Sequence, residues 1–166
     1  MRRLRLPVDA RVIVVLGAVV LLTGYATSAQ VSPLVGTWKL VSWQVIAAGK
    51  PPQDVFGLHP RGYLILTPEG RSMALTTAES RKPGIGDAER AALHRSMLAY
   101  SGRYRVEGND FITRVDVSWN DEWNGTEQRR HFRIEGNRLF LETAPGASIT
   151  SPGTTDFRRI VWERER

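Results

Sequence analysis

The residue types that could do chemistry in this chain are few, and they favour binding over catalysis. The sequence contains no cysteine, which excludes disulfides, thiolate nucleophiles and cysteine-bound metals. His59, His94 and His131 are far apart, and no H-x-H or H-E-x-x-H spacing pairs two of them. G-x-S-x-G and P-loop motifs are also absent. We therefore expect no metal site and no cofactor, and no catalytic residue can be named.

Arg130 is the most informative charged residue, because apolar residues share its strand face. Side chains alternate between the two faces of a β-strand. A strand over 126–134 that turns Phe132 and Ile134 inward therefore also turns Gln128 and Arg130 inward. A charge inside an apolar interior is costly unless it is paired. Arg130 either meets a buried acid or a ligand carboxylate, or lies at the mouth of the interior and reaches water.

The same alternation supplies the other candidate contacts to a ligand. A strand over 111–119 is expected to turn every second residue from Phe111 to Trp119 inward, Val117 included. Tyr63 and Tyr104 lie on other predicted strands and offer rings for stacking, although inward aromatic residues also serve as plain core. The predicted ligand-binding residues are Tyr63, Tyr104, Thr113, Trp119, Gln128, Arg130 and Phe132.

Eight segments carry strand signals, because alternating apolar and polar residues of β-branched and aromatic types are separated by Gly, Pro and Asn turns. On the first segment, Trp38, Leu40 and Ser42 share one face. One short helix is predicted over 88–98, capped by Asp87, between the third and fourth strands. The predicted strands span residues 34–46, 62–67, 71–77, 101–106, 111–119, 126–134, 138–143 and 157–164.

The connections between these strands favour an antiparallel, all-β fold. Gly-Asn pairs at 108–109 and 136–137 are typical of two-residue hairpin turns, and no β-α-β alternation appears. Eight hairpin-connected strands can close into an up-and-down barrel with room for one small ligand. An open sheet or a two-sheet sandwich fits the same pattern nearly as well.

The N-terminus has the three parts of a secretory signal peptide. Four arginines precede an uncharged run over 12–26, and small residues precede a cut between Ala29 and Gln30. A retained membrane anchor is the alternative, but the run is shorter than the roughly 20 residues that span a bilayer. We expect 1–29 to be a signal peptide and 30–166 to be one domain. The protein is then periplasmic or secreted, with no stable membrane span after cleavage.

Charge argues against a nucleic-acid partner. The chain has a formal net charge of +6, but half of that surplus lies in the predicted signal peptide. Nucleic-acid-binding domains carry basic residues clustered on one face, whereas basic and acidic residues are mixed along the rest of this chain. We expect a small apolar or amphipathic molecule as the partner, and the oligomeric state stays open.

The domain also resembles a known family in the order and spacing of its motifs. Gly36-Thr37-Trp38 matches the G-x-W signature of the first lipocalin strand. It is followed by RGYLILTPEGRSMAL, AYSGRYRVEGN, VSWNDEWNGTEQRRHFRIEGNRLFL and a final IVWERER. Over residues 34–166 this pattern resembles the bacterial lipocalin-like domain family. The resemblance implies an eight-stranded antiparallel barrel and not a sandwich.

The resemblance also implies roles for particular residues and a class of function. An arginine at the end of the last strand, here Arg164, would cross Trp38, so that Gly36, Trp38 and Arg164 form the barrel floor. Arg158 and Arg159 are alternative candidates for the arginine that crosses Trp38. The implied function is binding of a small hydrophobic or amphipathic molecule inside the barrel. The alternatives are an isomerase or cyclase on the same barrel, and a packed barrel that serves only as an interaction protein, because fold does not dictate function.

Overall fold

The computed structural model describes residues 32–147 and 155–166, so the predicted signal peptide lies outside the described residues. Within these ranges the chain forms mostly β-strands, with one α-helix and a short 3-10 helix at Asp121–Trp123. In chain order the elements are β1 Gly36–Ala47, β2 Gln53–Asp54, β3 Arg61–Leu66, β4 Arg71–Thr77, α1 Asp87–Arg95, β5 Met97–Glu107, β6 Asp110–Ser118, β7 Glu127–Glu135, β8 Arg138–Glu142, β9 Gly146–Ala147 and β10 Thr155–Arg164.

The eight longer strands close into one antiparallel barrel. Their order around the barrel is β1-β3-β4-β5-β6-β7-β8-β10, and β10 pairs with β1. The two-residue strands extend the sheet locally, since β2 pairs with β1 and β9 pairs with β10. Apart from the β1–β10 closure, each long strand lies beside the next long strand in sequence, so the predicted up-and-down barrel is confirmed.

The position predicted for the helix is wrong by one strand. Helix α1 follows β4, because the segment after β1, expected to be loop, contributes the short strand β2. Gly86 and not Asp87 is the N-cap residue, and its amide donates a hydrogen bond to Glu89 Oε2 at 2.7 Å. The helix ends at Arg95, because Leu98 already belongs to β5 and pairs with β4.

A β-bulge in β1 changes which of its side chains point into the barrel. The register against β10 shifts between Leu40 and Ser42, so one extra residue reverses the alternation of faces. Trp43 is buried as a result. The prediction that Ser42 shares the face of Trp38 and Leu40 is therefore wrong.

A second bulge has the same effect in β6. Gly102 of β5 pairs with Val115, and Ser101 pairs with Val117, so Asp116 is the extra residue. Val117 is 64% exposed, and the prediction that it points inward is wrong. The bulged Asp116 carboxylate instead accepts a hydrogen bond from Ser101 Oγ at 2.8 Å on the outer face.

The hydrophobic core fills the barrel and involves all eight long strands. Helix α1 contributes no buried residue to it. Side chains from the loop segments at both ends complete the core. The buried cluster consists of Leu34, Trp38, Leu40, Trp43, Phe56, Leu64, Leu66, Ala74, Leu98, Phe111, Leu139, Leu141, Ile160 and Trp162, with Phe132 and Ile134 of β7 packed against it.

Candidate ligand-binding site

One end of the barrel is closed by Trp38 and Arg164. Trp38 is fully buried, and its Nε1 donates to the Leu34 carbonyl oxygen at 2.8 Å. The Arg164 guanidinium carbon lies 4.0 Å from the centroid of the Trp38 ring, and its Nη1 donates to the Val35 carbonyl oxygen at 2.8 Å. Gly36 has a φ of 139°, and a Cβ there would lie 2.6 Å from Arg164 Nη1. A residue without a side chain is therefore required beside this arginine.

The two other arginines of β10 lie elsewhere. Arg159 Nε lies 2.7 Å from Glu142 Oε1, and Arg158 Nη1 lies 3.3 Å from Asp156 Oδ1. In the register of β10 against β1, Arg159 lies opposite Gln44 and Arg158 lies opposite Val45, at the end of the barrel away from Trp38. Arg164 is the arginine of β10 that contacts Trp38.

A small cavity of about 20 Å³ lies in the barrel interior. That volume holds about one water molecule, so the interior is nearly filled by its own side chains. Most of the wall is apolar, and a few polar groups interrupt it. The lining residues are Trp43, Leu64, Ala74, Thr76, Leu98, Tyr100, Arg130, Leu141, Ile160 and Trp162.

The polar groups of this cavity wall are mostly hydrogen-bond donors. The Nε1 atoms of Trp43 and Trp162 are buried and have no hydrogen-bond partner among the residues that the structure describes. The Thr76 hydroxyl is already used, because it donates to the Leu98 carbonyl oxygen at 3.4 Å. Two indole N–H groups therefore lack the acceptor that buried donors normally have.

Arg130 adds a positive charge to the same wall. It is half-buried, and its guanidinium donates to the Arg129 carbonyl oxygen at 2.7 Å and to Gln128 Oε1 at 3.2 Å. Among the described residues, no carboxylate lies within ion-pair distance of it. Burial raises the pKa of the Tyr100 phenol, and the nearby Arg130 charge partly offsets that rise.

A much larger cleft, of about 580 Å³, lies outside the barrel beside α1. Its volume is within the range typical of sites for small molecules. Charged side chains in its wall are partly engaged, since Arg81 donates to Ser96 Oγ at 3.0 Å and Glu79 Oε2 accepts from the His59 amide at 2.6 Å. The lining residues are Val55, Phe56, Gly57, Ala78, Glu79, Ser80, Arg81, Lys82, Pro83, Glu89, Ala92, Leu93 and Ser96.

Phe56 lies between the cleft and the cavity. It lines the cleft, and its ring centroid is 5.0 Å from that of Trp43, which lines the cavity. The two rings meet edge to face, an arrangement favoured for aromatic pairs. The Phe56 carbonyl oxygen accepts a hydrogen bond from the Glu79 amide at 3.1 Å, which holds the segment against the barrel rim.

The structure places Tyr63 on the outside of the barrel, so its predicted role as an interior ligand contact is wrong. Strand β3 buries Leu64 and Leu66, and alternation then turns Tyr63 outward. Its side chain is 42% exposed and lies opposite Leu75 of β4, which is also exposed.

Tyr104 and Thr113 do point toward the barrel interior, but they do not line the cavity. The Tyr104 hydroxyl donates to the Thr67 carbonyl oxygen at 2.9 Å, and burial raises the pKa of this phenol. Thr113 is fully buried, and its Oγ1 lies 3.2 Å from Ser72 Oγ. Both hydroxyls are therefore used within the fold.

Trp119, Gln128 and Phe132 are half-buried and also lie outside the cavity wall. The ring of Trp119 packs edge to face on Trp123 with centroids 4.9 Å apart. Gln128 Nε2 donates to Thr126 Oγ1 at 3.1 Å while its Oε1 accepts from Arg130. Of the predicted ligand-binding residues, Arg130 is the one that the structure brings to the cavity.

Sequence reasoning missed Trp43, Tyr100 and Trp162, which form much of the cavity wall. Simple alternation puts Trp43 on the face opposite Trp38 and Leu40, and the β1 bulge that turns it inward has no clear sequence signal. Trp162 could have been found from strand alternation, since Ile160 and Trp162 share a face of β10 and both are buried. Tyr100 lies in β5, which begins at Met97 and not at residue 101 as predicted.

Within residues 32–147 and 155–166, no group of three or more His, Cys, Asp or Glu side chains is arranged to hold a metal ion. In the same ranges, no helix has the length and apolar character needed to cross a membrane.

Comparison with known proteins gives a family and a distant structural neighbour. A family model described as a lipocalin-like domain matches residues 35–165. A crystal structure of an uncharacterized protein from Bacteroides eggerthii is similar with a TM-score of 0.38 and 12% identity. That similarity covers 79% of this chain and 98% of the other. No curated protein matches the sequence.

Proposed function

Because the chain belongs to the lipocalin-like domain family, we propose that it binds a small amphipathic molecule with an anionic end. The observation that carries this proposal is Arg130, a half-buried arginine in the cavity wall without a carboxylate partner among the described residues. A guanidinium pairs strongly with a carboxylate through charge-assisted hydrogen bonds. The ligand would supply that missing negative charge.

The cavity is too small for a whole ligand, so the apolar body needs the neighbouring cleft. The two spaces adjoin along β4 and β5, since Thr76 and Leu98 line the cavity while Ala78 and Ser96 line the cleft. The Ala78 amide donates to the Ser96 carbonyl oxygen at 2.9 Å, which keeps the two segments together. In this proposal, displacement of the Phe56 ring joins the cleft to the cavity when the ligand binds.

Paired probes that differ only at the polar end test the proposal. We expect decanoate to bind more tightly than decanol, and Arg130→Met to weaken decanoate binding about 10- to 100-fold, as expected for a charge-assisted hydrogen bond of about 1.5–3 kcal/mol. Decanol should bind Arg130→Met about as well as the native protein. Titration calorimetry on the domain without residues 1–29 measures the affinity of each probe for the native protein and for the variant.

The matched control is Arg133→Met, which removes an arginine from the outer face of the same strand. Arg133 is exposed, and its guanidinium lies over the Phe140 ring at 3.7 Å, outside the cavity wall. This variant should bind both probes like the native protein. Equal losses from the two arginine variants, or no preference for decanoate, would contradict an anion site at Arg130.

A packed barrel that acts as an interaction protein is the second candidate, and the cavity of about 20 Å³ favours it. If the barrel is packed shut, neither decanoate nor decanol binds, and calorimetric titration of the native protein gives no heat signal that saturates. An enzyme on the same barrel has less support, because the cavity lining contains neither a histidine nor a carboxylate. Tyr100 and Arg130 are the ionisable groups of that lining.

Export belongs to the same proposal. The basic segment, apolar run and small-residue site within residues 1–29 support secretion of the domain into the periplasm or the medium. An exported binding protein without cysteine needs no oxidative folding step.

A further inference from the structure

We propose that the buried indole N–H groups of Trp43 and Trp162 donate hydrogen bonds to the polar end of the ligand. The ligand's polar end is then a hydrogen-bond acceptor such as a carboxylate, and amphiphiles with a cationic end are excluded. This inference rests on the proposed function, and it assigns two specificity-determining residues in addition to Arg130.

The first observation is the contrast among the three buried tryptophans. Trp38 Nε1 donates to the Leu34 carbonyl oxygen at 2.8 Å, as a buried donor normally does. Trp43 and Trp162 are also buried, and neither of their Nε1 atoms has a hydrogen-bond partner within residues 32–147 and 155–166. A pair of unsatisfied donors within one core is uncommon, because each N–H gives up its hydrogen bonds to water on burial.

The second observation is that both donors belong to one cavity wall. Trp43 lies on β1 and Trp162 on the neighbouring strand β10, and both line the cavity that Arg130 also lines. Tyr100 also lines the cavity. Two tryptophans with unpartnered indole N–H groups and the positively charged Arg130 therefore line one space whose other lining residues, apart from Thr76 and Tyr100, are apolar.

The donor chemistry selects one class of ligand group. An indole N–H can donate but cannot accept, and a guanidinium likewise has donors alone. A carboxylate has two oxygens with several acceptor sites, and its negative charge would pair with the Arg130 guanidinium. An ammonium group would meet donors and a like charge, so an amine of the same chain length should not bind.

The cavity volume limits what enters it. About 20 Å³ admits a group the size of one water molecule, so a ligand oxygen fits while its chain stays toward the cleft. One resident water could satisfy one or both indoles in the free protein. A ligand oxygen that replaces this water would make the same hydrogen bonds and add charge to them.

Indole resonances in ¹H–¹⁵N spectra test the inference directly. The five tryptophans give five indole signals, and Trp43→Phe and Trp162→Phe identify two of them by loss of the peak. On addition of decanoate, we expect those two signals to move downfield, with smaller changes for the others. Methyl decanoate should move them less, and decylamine should leave all five unchanged.

Binding measurements on the same variants give a second readout. Each Phe variant keeps an aromatic ring and removes one N–H, so decanoate affinity should fall about tenfold, the loss of one charge-assisted hydrogen bond. Trp123→Phe is the matched control, because Trp123 is half-buried and lies outside the cavity wall. It should bind decanoate like the native protein. If a Phe variant does not fold, the native protein still tests the inference. Decanoate should shift the Trp43 and Trp162 indole signals more than methyl decanoate does.

The outcomes separate this inference from the proposed function. If decanoate binds and depends on Arg130, but the Trp43 and Trp162 signals stay fixed and both Phe variants bind normally, the inference is wrong and the function stands. If those two indoles show cross-relaxation with water that decanoate does not remove, they hold a structural water and the inference is again wrong. If no probe binds the native protein, the proposed function fails and the inference fails with it.

Discussion

The Arg164 guanidinium carbon lies 4.0 Å from the centroid of the Trp38 ring, and this contact joins the first and last strands of the barrel. The residues are directly opposite each other where β10 pairs with β1. Arg164 also donates to the carbonyl oxygens of Val35 and Pro33, just before β1 begins. One arginine therefore stacks on the floor tryptophan and ties down the segment that leads into the first strand.

The central position of Trp38 predicts the effect of its removal. We expect Trp38→Ala to be the most destabilising of the five tryptophan-to-alanine changes, with a loss of about 3–5 kcal/mol. The change opens a cavity in the core, and it removes the hydrogen bond to Leu34 and the contact with Arg164. Urea melts of all five variants measure this. A Trp38 variant that unfolds at the native urea concentration would show that the floor contributes little to stability.

Arg164 should contribute through its planar shape as well as its charge. Arg164→Met is expected to lower the free energy of unfolding by about 2 kcal/mol, since charge-assisted hydrogen bonds and stacking on tryptophan are both lost. Arg164→Lys should recover only part of this, because an ammonium cannot stack flat on the ring and reach two carbonyls together. Arg61→Met, at an exposed position of β3, is the control. Equal stabilities of the Lys variant and the native protein would contradict a role for the guanidinium plane.

Stability at acidic pH should depend on an ionic cluster on the outer face of the barrel. Its members are Arg105, Glu107, Asp110, Glu127 and Arg129, with ion pairs such as Arg105–Glu127 and Arg129–Asp110, both at 2.7 Å. Hydrogen bonds from the arginines lower the pKa values of all three carboxyl groups below their ordinary values of 4.5 for glutamate and 3.8 for aspartate.

The sign of the pH effect follows from those lowered pKa values. A carboxyl whose pKa is lower in the folded state stabilises the fold above its unfolded pKa, and this contribution disappears as the pH falls through the folded value. We therefore expect the Tm to fall between about pH 5 and pH 3, and Arg129→Met to make that fall shallower. The effect should be small and should shrink in high salt, because the pairs are exposed. Arg103→Met, which removes a guanidinium bonded to the Glu69 carbonyl oxygen, should leave the slope unchanged.

The N-terminal segment predicts that residues 1–29 are cleaved from the protein on export. When the full chain is expressed in a bacterium that exports proteins, we expect the folded product to begin at Gln30, because small residues precede that position. N-terminal sequencing of the periplasmic or secreted fraction checks this. An intact Met1 on folded protein in the membrane fraction would mean that the segment is kept as an anchor.

Much of the fold could be predicted from the sequence, because alternation and turn residues are local signals. Each of the eight predicted strands overlaps a long strand of the barrel, and 71–77 coincides with β4. Glycines at the hairpins and breaks in the alternation mark where each strand stops. The G-x-W motif and the order of the later segments then distinguished a closed barrel from a sandwich, and the family match confirms that interpretation.

The cavity wall could not be predicted to the same extent, because alternation sorts faces only along an uninterrupted strand. The bulges beside Ser42 and Val117 each insert one residue, which inverts every face that follows while leaving the sequence pattern almost unchanged. Trp43 entered the interior, and Val117 left it, for this reason. Arg130 was located correctly because β7 has no bulge against β6 or β8.

The sequence by itself determined that eight strands alternate, where they turn, and that Arg130 shares a face with Phe132 and Ile134. Only the tertiary structure decided that Trp43, Trp162 and Arg130 line one cavity of about 20 Å³, and that neither indole N–H has an acceptor in the described part of the chain. The physical reason is that strand alternation is a property of neighbours along the chain. The volume left inside a barrel depends instead on how side chains from strands far apart in sequence pack against one another.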